Sequence, residues 1–352
     1  MSDDFGNAGS RTHEFGARAK RALNRAREQV AAVVDASPEE VVFTSGATES
    51  NNLALLGLAD FGVAQGKRHI LSSGIEHKAV IEPLEHLAKQ GFDVELVPTD
   101  ASGRVDPEAV VERVRPDTLL VSLMHVNNET GVVQPVAEVA DRLPPDPFFH
   151  VDAAQGFGKV LADLRNPRLD LISISGHKVF APKGVGALIT RRRRYEGPPL
   201  TALMFGGGQE RGLRPGTSPV PLVAGLGLAS ELCVQESALR IEVCRLRREE
   251  ILAAIGPLAP SFHGQQDATV PHILNFTVPG WDSEALLVMW KDALAFSNGS
   301  ACTSASYTPS HVLMAMGLSE ADVMGAIRLS WSHLTPQVEW SELVDRVRNS
   351  SW

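Results

Sequence analysis

Lys178 follows the alternating run LISIS (171–175) and the break at Gly176, within SGHK (175–178). Parallel α/β sheets gather their ligands just beyond the carboxyl ends of their strands, so an amine at that place is positioned for chemistry. A lone lysine after a strand is ordinarily a solvated surface residue. Asp152 changes the balance, because it closes a second run, FFHVD (148–152). An aspartate at a strand end is most often a turn or cap residue. Together the two have another use. Pyridoxal 5'-phosphate chemistry needs an amine for a Schiff base and a carboxylate that keeps the pyridine nitrogen protonated, so that the ring takes up electrons. Gln155, three residues on, is placed to reach the ring's phenolic oxygen.

Two further strings extend this set. In SGATE (45–49) a strand, a glycine and a helix start in succession. The first N–H groups of such a helix bind anions, and Thr48 can add its hydroxyl. The string is weak by itself, since many helices begin this way. His77, in IEHKAV, follows another strand. A histidine there is more often structural, yet an imidazole stacked on a ring can also move protons.

The elements that must carry these residues alternate along the chain. Strands are predicted at 41–45, 69–73, 94–98, 118–124, 148–152, 171–175 and 186–190, most of them separated by helical segments. That rhythm predicts an α/β fold, a mostly parallel sheet with helices on both faces. Ala19, Leu23, Ala26, Val30 and Val33 mark an opening helix at helical spacing, with a solvated basic face. After Pro221 one long helix is predicted to about Ile255, joining the domains. Beyond it HILNFTV, EALLVMW, ALAFS and AIRLSWS predict a smaller α+β domain. The expected division is 10–235 for the large domain, and 236–352 with residues 1–9 for the small one.

The strings TSGATESNNLAL, EHKAV, MHVNNETGVVQPV, HVDAAQGFGKV, SISGHK, PKGVGAL, GGGQERGLRPGT, SNGSACTSASYTPSHVLMAMGL and AIRLS run from Thr44 to Ser330. In this order they resemble the cysteine desulfurases, which are fold type I pyridoxal-phosphate enzymes. SACTSAS followed by PSHVL is similar to the class I branch, which serves nitrogenase and iron–sulfur cluster assembly. LRPGT and TSASYTPSHVL look most like the desulfurase of bacterial DNA phosphorothioation. The resemblance implies that Lys178 holds the cofactor and moves protons, that Asp152 pairs with the ring nitrogen and that His77 stacks on the ring. It implies that Gln155 and Asn127 lie near the ring oxygen and the substrate. Ala47, Thr48, Ser175 and His177 would hold the phosphate. Thr217 would reach the phosphate of a partner subunit, so a homodimer is expected. Arg328 would bind the carboxylate of L-cysteine with its two-pronged fork.

Cys302 is the expected nucleophile. SNGSACTSAS is rich in small polar residues, which predicts a loop able to swing, and a thiolate is the attacking form. Cys233 and Cys244 sit in apolar helical stretches and read as packing thiols. The implied reaction turns L-cysteine into L-alanine and a persulfide on Cys302, passed on to a sulfur-acceptor protein. A cysteine or selenocysteine lyase without an acceptor, or a scaffold that does not turn over, are the alternatives. Members of that family start with a strand and a segment like YLDNAATT before GNPSS. This sequence reads GNAGS at 6–10, so the usual leading segment is expected to be missing.

Composition bounds the rest. With 43% hydrophobic and 21% charged residues over 352 positions, the chain fits a two-domain globular protein. A net charge of −9 argues against non-specific nucleic-acid binding. No apolar run is long enough for a membrane span, and no signal pattern precedes residue 16, which leads us to expect a cytoplasmic protein with reduced thiols. His125, His150 and His177 fall at strand ends without a supporting carboxylate or cysteine spacing, so no metal site is expected.

Overall fold

The computed structural model describes residues 6–10, 12–298 and 309–350. They divide into two compact units. The first holds the chain up to Val97 with Pro107–His125 and Pro135–Ser237; the second holds Pro98–Asp106, Val126–Gln134 and the chain from Ala238.

In the first unit seven strands form one sheet: β1 (Val41–Thr44), β2 (His69–Ser73), β3 (Asp93–Val97), β4 (Thr118–Met124), β5 (Phe148–Asp152), β6 (Leu171–Ser175) and β7 (Gly186–Thr190). Their order is β1-β7-β6-β5-β4-β2-β3. Only β7 runs against the others. Every strand but the edge strand β3 is buried almost throughout, as expected where helices cover both faces. The helices are α1 (Glu14–Val33), α2 (Ala47–Gly57), α3 (Ala59–Ala64), α4 (Lys78–Lys89), α5 (Pro107–Glu112), α6 (Val136–Arg142) and α7 (Val220–Gln235). His13 caps α1, its Nδ1 accepting from the Gly16 N–H at 3.0 Å. α1 lies against α7 at Gly227, where an added Cβ would stand 2.6 Å from Ala26 Cα. Leu53, Leu55, Leu58, Ile70, Leu84 and Leu120 are among the residues of the core.

The second unit carries a four-stranded antiparallel sheet of β8 (Ser261–Phe262), β9 (Ile273–Thr277), β10 (Ser297–Asn298) and β11 (Ala326–Ser330), ordered β10-β11-β9-β8. Its helices are α8 (Ser237–Ile255), α9 (Ser283–Trp290), α10 (His311–Ala315), α11 (Glu320–Gly325) and α12 (Trp340–Arg348). Trp290 is fully buried, and its indole N–H satisfies the Leu343 carbonyl at 3.0 Å.

Four features differ from the sequence reading. The single long helix is two, α7 and α8, interrupted at Glu236 (φ −104°, ψ 7°). No glycine or proline marks that break, so the usual punctuation was absent. Residues 98–106 and 126–134 group with the second unit through the Gln265 N–H to the Ser102 carbonyl at 2.8 Å and the Val132–Thr269 bridge, whereas Gly6–Gly9 group with the first. ALAFS yields only the two-residue β10, because the Trp290 carbonyl draws the Ala293 and Leu294 N–H groups into a turn.

The run Arg191–Arg194 is half structural. Arg191 is buried and donates to the carbonyls of Val34, of Leu164 at 2.9 Å and of Asp35 at 3.2 Å. Arg193 binds Asp170 at 2.6 Å and stacks 4.7 Å over Phe148. Arg192 and Arg194 are exposed. Leaving three carbonyls short of donors costs about 2–4 kcal/mol. Arg191→Ala is therefore expected to lower the urea-unfolding free energy by that amount, and Arg194→Ala to leave it within about 0.5 kcal/mol. Equal effects from the two variants would contradict this division of the run.

Candidate active site

Asp152 ends β5 in the middle of the sheet and is 5% exposed. Its Oδ2 accepts from Asn51 Nδ2 at 2.7 Å and its Oδ1 from the Ala154 N–H at 2.9 Å. Burial pushes its pKa up. The Ala154 and Asn51 hydrogen bonds and the positive charges of His77 and Lys178 pull it down, without cancelling the burial. Asp152, His77 and Lys178 thus share one electrostatic neighbourhood, as the sequence reading requires.

Lys178 sits in a 3-10 turn, Gly176–Val179, that leaves β6. The turn closes through the Ala181 N–H to Gly176 O at 3.0 Å, with Phe180 in the left-handed region at φ 69°. A bulky residue there stores strain of the kind found at functional sites. A Cβ on Gly176 would meet the Val185 carbonyl at 2.7 Å, so only glycine lets the chain turn here. His77 opens α4 as its cap, Nδ1 accepting from the Ala79 N–H at 3.1 Å. Its ring is exposed.

The anion cradle is built by close backbone approach. Gly46 (φ 157°) precedes α2 and offers no side chain to cap it. A Cβ on Gly186 of β7 would lie 2.6 Å from Gly46 Cα. Ala47 and Thr48 begin the helix, and Ser175 Oγ lies 3.0 Å from His177 Nδ1. Glu49 bonds the Ser45 N–H at 2.7 Å and Arg214 Nε at 2.9 Å, which ties the RGLRPGT segment to the first turn of α2. Thr217 in that segment is exposed. Gln155 is half-buried, 3.5 Å from Lys159 Nζ.

Two residues of this region, Asn51 and Glu76, were not singled out by the sequence reading, and His150 was weighed there only as a metal ligand. Asn51 lies one helical turn after Thr48, inside TESNN, and polar residues on an inward helix face were the available signal. Glu76 is fully buried beside His77; Oε1 accepts from Ser73 Oγ at 2.6 Å and from the Met124 N–H at 2.9 Å. His150 is buried between Ser122 Oγ (2.8 Å) and Ser173 Oγ (3.0 Å), and burial lowers it to about 3, so it is a neutral spacer. His125 lies 3.3 Å from Asp163.

Arg328 and Asn127 belong to the second unit. Arg328 Nη1 donates to the Asn128 carbonyl at 2.9 Å, and its neighbours across the sheet are Ser297 and Asn275. Burial lowers the Arg328 pKa, against the charge of Glu129. Among the described residues its Nε has no hydrogen-bond partner, nor has Ser297 Oγ. The Asn127 side-chain carbonyl is committed to the Glu129 and Thr130 N–H groups at 2.8 and 2.9 Å. Glu129 Oε2 in turn accepts from Ser310 Oγ at 2.5 Å. Cys302 lies outside the described residues. Cys233 and Cys244 are buried.

Residues 1–343 match the aminotransferase class-V family. The chain belongs to that family. A cysteine desulfurase IscS of Vibrio cholerae is 44% identical over 351 residues, 99% of this chain and 86% of its own. One from Pseudoalteromonas translucida is 42% identical over 353 residues, 99% of this chain and 86% of its own. Among solved structures, DndA from Streptomyces lividans is 55% identical with a TM-score of 0.85, covering 94% of this chain and 93% of its own. SspA in complex with cysteine is 39% identical with a TM-score of 0.81, covering 94% and 92%. Within the family, then, the chain is a cysteine desulfurase with the fold type I architecture, and its cofactor is pyridoxal 5'-phosphate.

The residues present fit that cofactor. Asp152 is a buried carboxylate whose two neutral donors leave its charge short of a cation, and the glycine-backed start of α2 suits a phosphate. Among the described residues no single helix is long and apolar enough to cross a membrane.

Glu76 makes the site's protonation testable. Burial raises it from 4.5 to about 8. The unfolded chain therefore loses this proton near 4.5 while the folded chain keeps it, so stability falls as pH rises between those values and levels off above about 8. Glu76→Gln removes that slope. Its stability relative to wild type, from urea unfolding at a series of pH values, is expected to rise steadily from pH 4.5 to about 8 and then stay level. Parallel profiles would show that Glu76 is already ionised at neutral pH.

Proposed function

We propose that this desulfurase takes sulfur from L-cysteine as a persulfide on Cys302, leaves L-alanine, and delivers the sulfur to an acceptor protein. The observation that carries the reading is the buried Asp152, with Lys178 and His77 acting on it from adjoining elements. Pyridoxal phosphate, when bound, supplies a ring that takes up the electrons released at the substrate's α-carbon. Asp152 keeps the ring nitrogen protonated. Lys178 holds the cofactor covalently at rest and then moves protons between its Nζ and the substrate. His77 covers the ring, and Gln155 reaches its phenolic oxygen. The α2 N–H groups of Ala47 and Thr48, with Ser175 and His177, hold the phosphate.

Substrate binding falls to Arg328, with Asn127 beside the substrate. The half-buried guanidinium, with an N–H lacking a partner among the described residues, supports a carboxylate as its ligand. The Cys302 thiolate then attacks the substrate's sulfur. An S–S bond forms as the Cβ–S bond breaks, and the bonding electrons stay with the carbon fragment. We further propose a homodimer in which Thr217 reaches the partner subunit's phosphate site, and a cytoplasmic location, where thiols stay reduced. The LRPGT and TSASYTPSHVL strings favour DNA phosphorothioation as the destination of the sulfur, ahead of iron–sulfur cluster assembly.

Cys302→Ser is expected to keep the near-visible absorbance of the bound cofactor and to stop sulfur transfer, because a hydroxyl cannot hold a sulfane sulfur. Mass spectrometry of wild type after incubation with L-cysteine should find one added sulfur on the Cys302 peptide. Sulfur on Cys233 or Cys244, or undiminished sulfide release by the serine variant, would favour a lyase that needs no acceptor. Arg328→Ala is expected to weaken apparent L-cysteine affinity by about ten- to a hundredfold with cofactor content unchanged. An unaltered affinity in steady-state kinetics would remove Arg328 from the substrate site.

A further inference from the structure

β4 lies between β5 and β2, and it outruns β2. On its β5 side Met124 is the register partner of Asp152, and the His125 N–H bonds the Asp152 carbonyl at 2.9 Å. On its β2 side the register runs only to Leu71–Val121, with Ser72 Oγ reaching the Ser122 carbonyl at 2.9 Å. The Met124 N–H, one step further, would face a strand that has ended at Ser73. Glu76 Oε1 takes that N–H at 2.9 Å and Ser73 Oγ at 2.6 Å. One carboxyl oxygen thus replaces a strand carbonyl at the cofactor end of the sheet.

We propose that Glu76 is a positioning residue of the cofactor site: its carboxyl continues the sheet past the end of β2 and so fixes Met124, which carries Asp152, and His77, the next residue in the chain. This rests on the reading of Asp152 and His77 as the groups that meet the ring. The charges bearing on Glu76 suit the task. It is fully buried, and Asp152 is the charged group that acts on it, in the direction that keeps its proton on. As a neutral acid it supplies an acceptor oxygen without setting a second negative charge beside Asp152. An acceptor, and not a charge, is what the position requires.

Glutamine keeps that acceptor and alanine deletes it. Wild type, Glu76→Gln and Glu76→Ala, each stripped of cofactor and then reconstituted, would be titrated with pyridoxal 5'-phosphate, reading the near-visible band and the dissociation constant, with circular dichroism to check the fold. Glu76→Gln is expected within about twofold of wild type with an unshifted band. Glu76→Ala is expected to bind the cofactor about tenfold or more weakly, the effect of one buried donor left unmet, with a shifted band. An alanine variant with wild-type affinity and band would overturn the proposal, and so would a glutamine variant as impaired as alanine. If the alanine variant does not fold, Ser73→Ala decides: it loosens the same carboxyl, so a shifted band supports the proposal and an unchanged one overturns it. Failure of wild type itself to bind the cofactor would instead overturn the reading of the site.

Discussion

A carboxylate buried at the end of the central strand is the constraint around which the site is arranged. Taking an ion out of water costs several kcal/mol unless charges and donors of the right kind surround it. Asp152 has Asn51 and the Ala154 N–H, both neutral. The compensating charge comes from Lys178 beyond β6 and His77 at the start of α4, and burial still outweighs them. A protonated pyridine completes such a site better than water does, because it brings a cation with a fixed donor. Sheet order explains why the groups meet. β5 lies between β6 and β4, with β2 next, so the loops that leave these strands share one edge.

The reversed strand β7 has a comparable part in the proposed phosphate cradle. The chain turns back after Lys178 and runs antiparallel to both β6 and β1. This brings Gly186 against Gly46, at a distance that excludes a side chain. The start of α2 is thereby held from behind by backbone, and its N–H groups are left to an anion. The same helix turn is held from the front by Glu49 and Arg214. A second pair, Arg27 and Glu210 at 2.7 Å, anchors the GGGQERG segment, where Glu210 and Arg211 both take left-handed backbone. Two such residues in succession persist only where their surroundings over-determine them, and here the Arg27 guanidinium and the Phe43 N–H both bind Glu210.

Much of this was legible in the chain, for physical reasons. Buried strands are short apolar runs, and TLLVSLM, LISIS and GALIT read as such. Lys178 and Asp152 were singled out as candidates because strand ends in α/β sheets are where ligands bind. Asn51 and Glu76 were missed because their work is done by burial and by partners distant in sequence: Asp152 for one, Met124 for the other. A polar residue beside a known site residue reads the same whether it is buried or solvated. The break at Glu236 was invisible because it involves no residue with special backbone freedom, and the grouping of 98–106 and 126–134 with the second unit depends on pairings that no local pattern encodes. The run Arg191–Arg194 is an opposite case. Four cations in a row suggest a surface, yet Arg191 is spent on carbonyls of the interior.

The second unit holds the residues proposed to bind the substrate. Arg328 stands in β11 with Ser297 of β10 across from it, and β10 is the described chain just before the segment that carries Cys302. On the far side of that segment, Ser310 caps α10 and binds Glu129, which follows Asn127 and Asn128. Arg328 donates to the Asn128 carbonyl. The group proposed to grip the substrate's carboxylate and the described chain on either side of residues 299–308 therefore share one small hydrogen-bonded frame. A sulfur-transferring thiol has to meet its substrate and then leave it. In the proposed reaction, the described chain on either side of residues 299–308 belongs to the frame that would bind the substrate, which favours their encounter. Cys233 and Cys244 show the contrast, since both are buried in the helices that carry them.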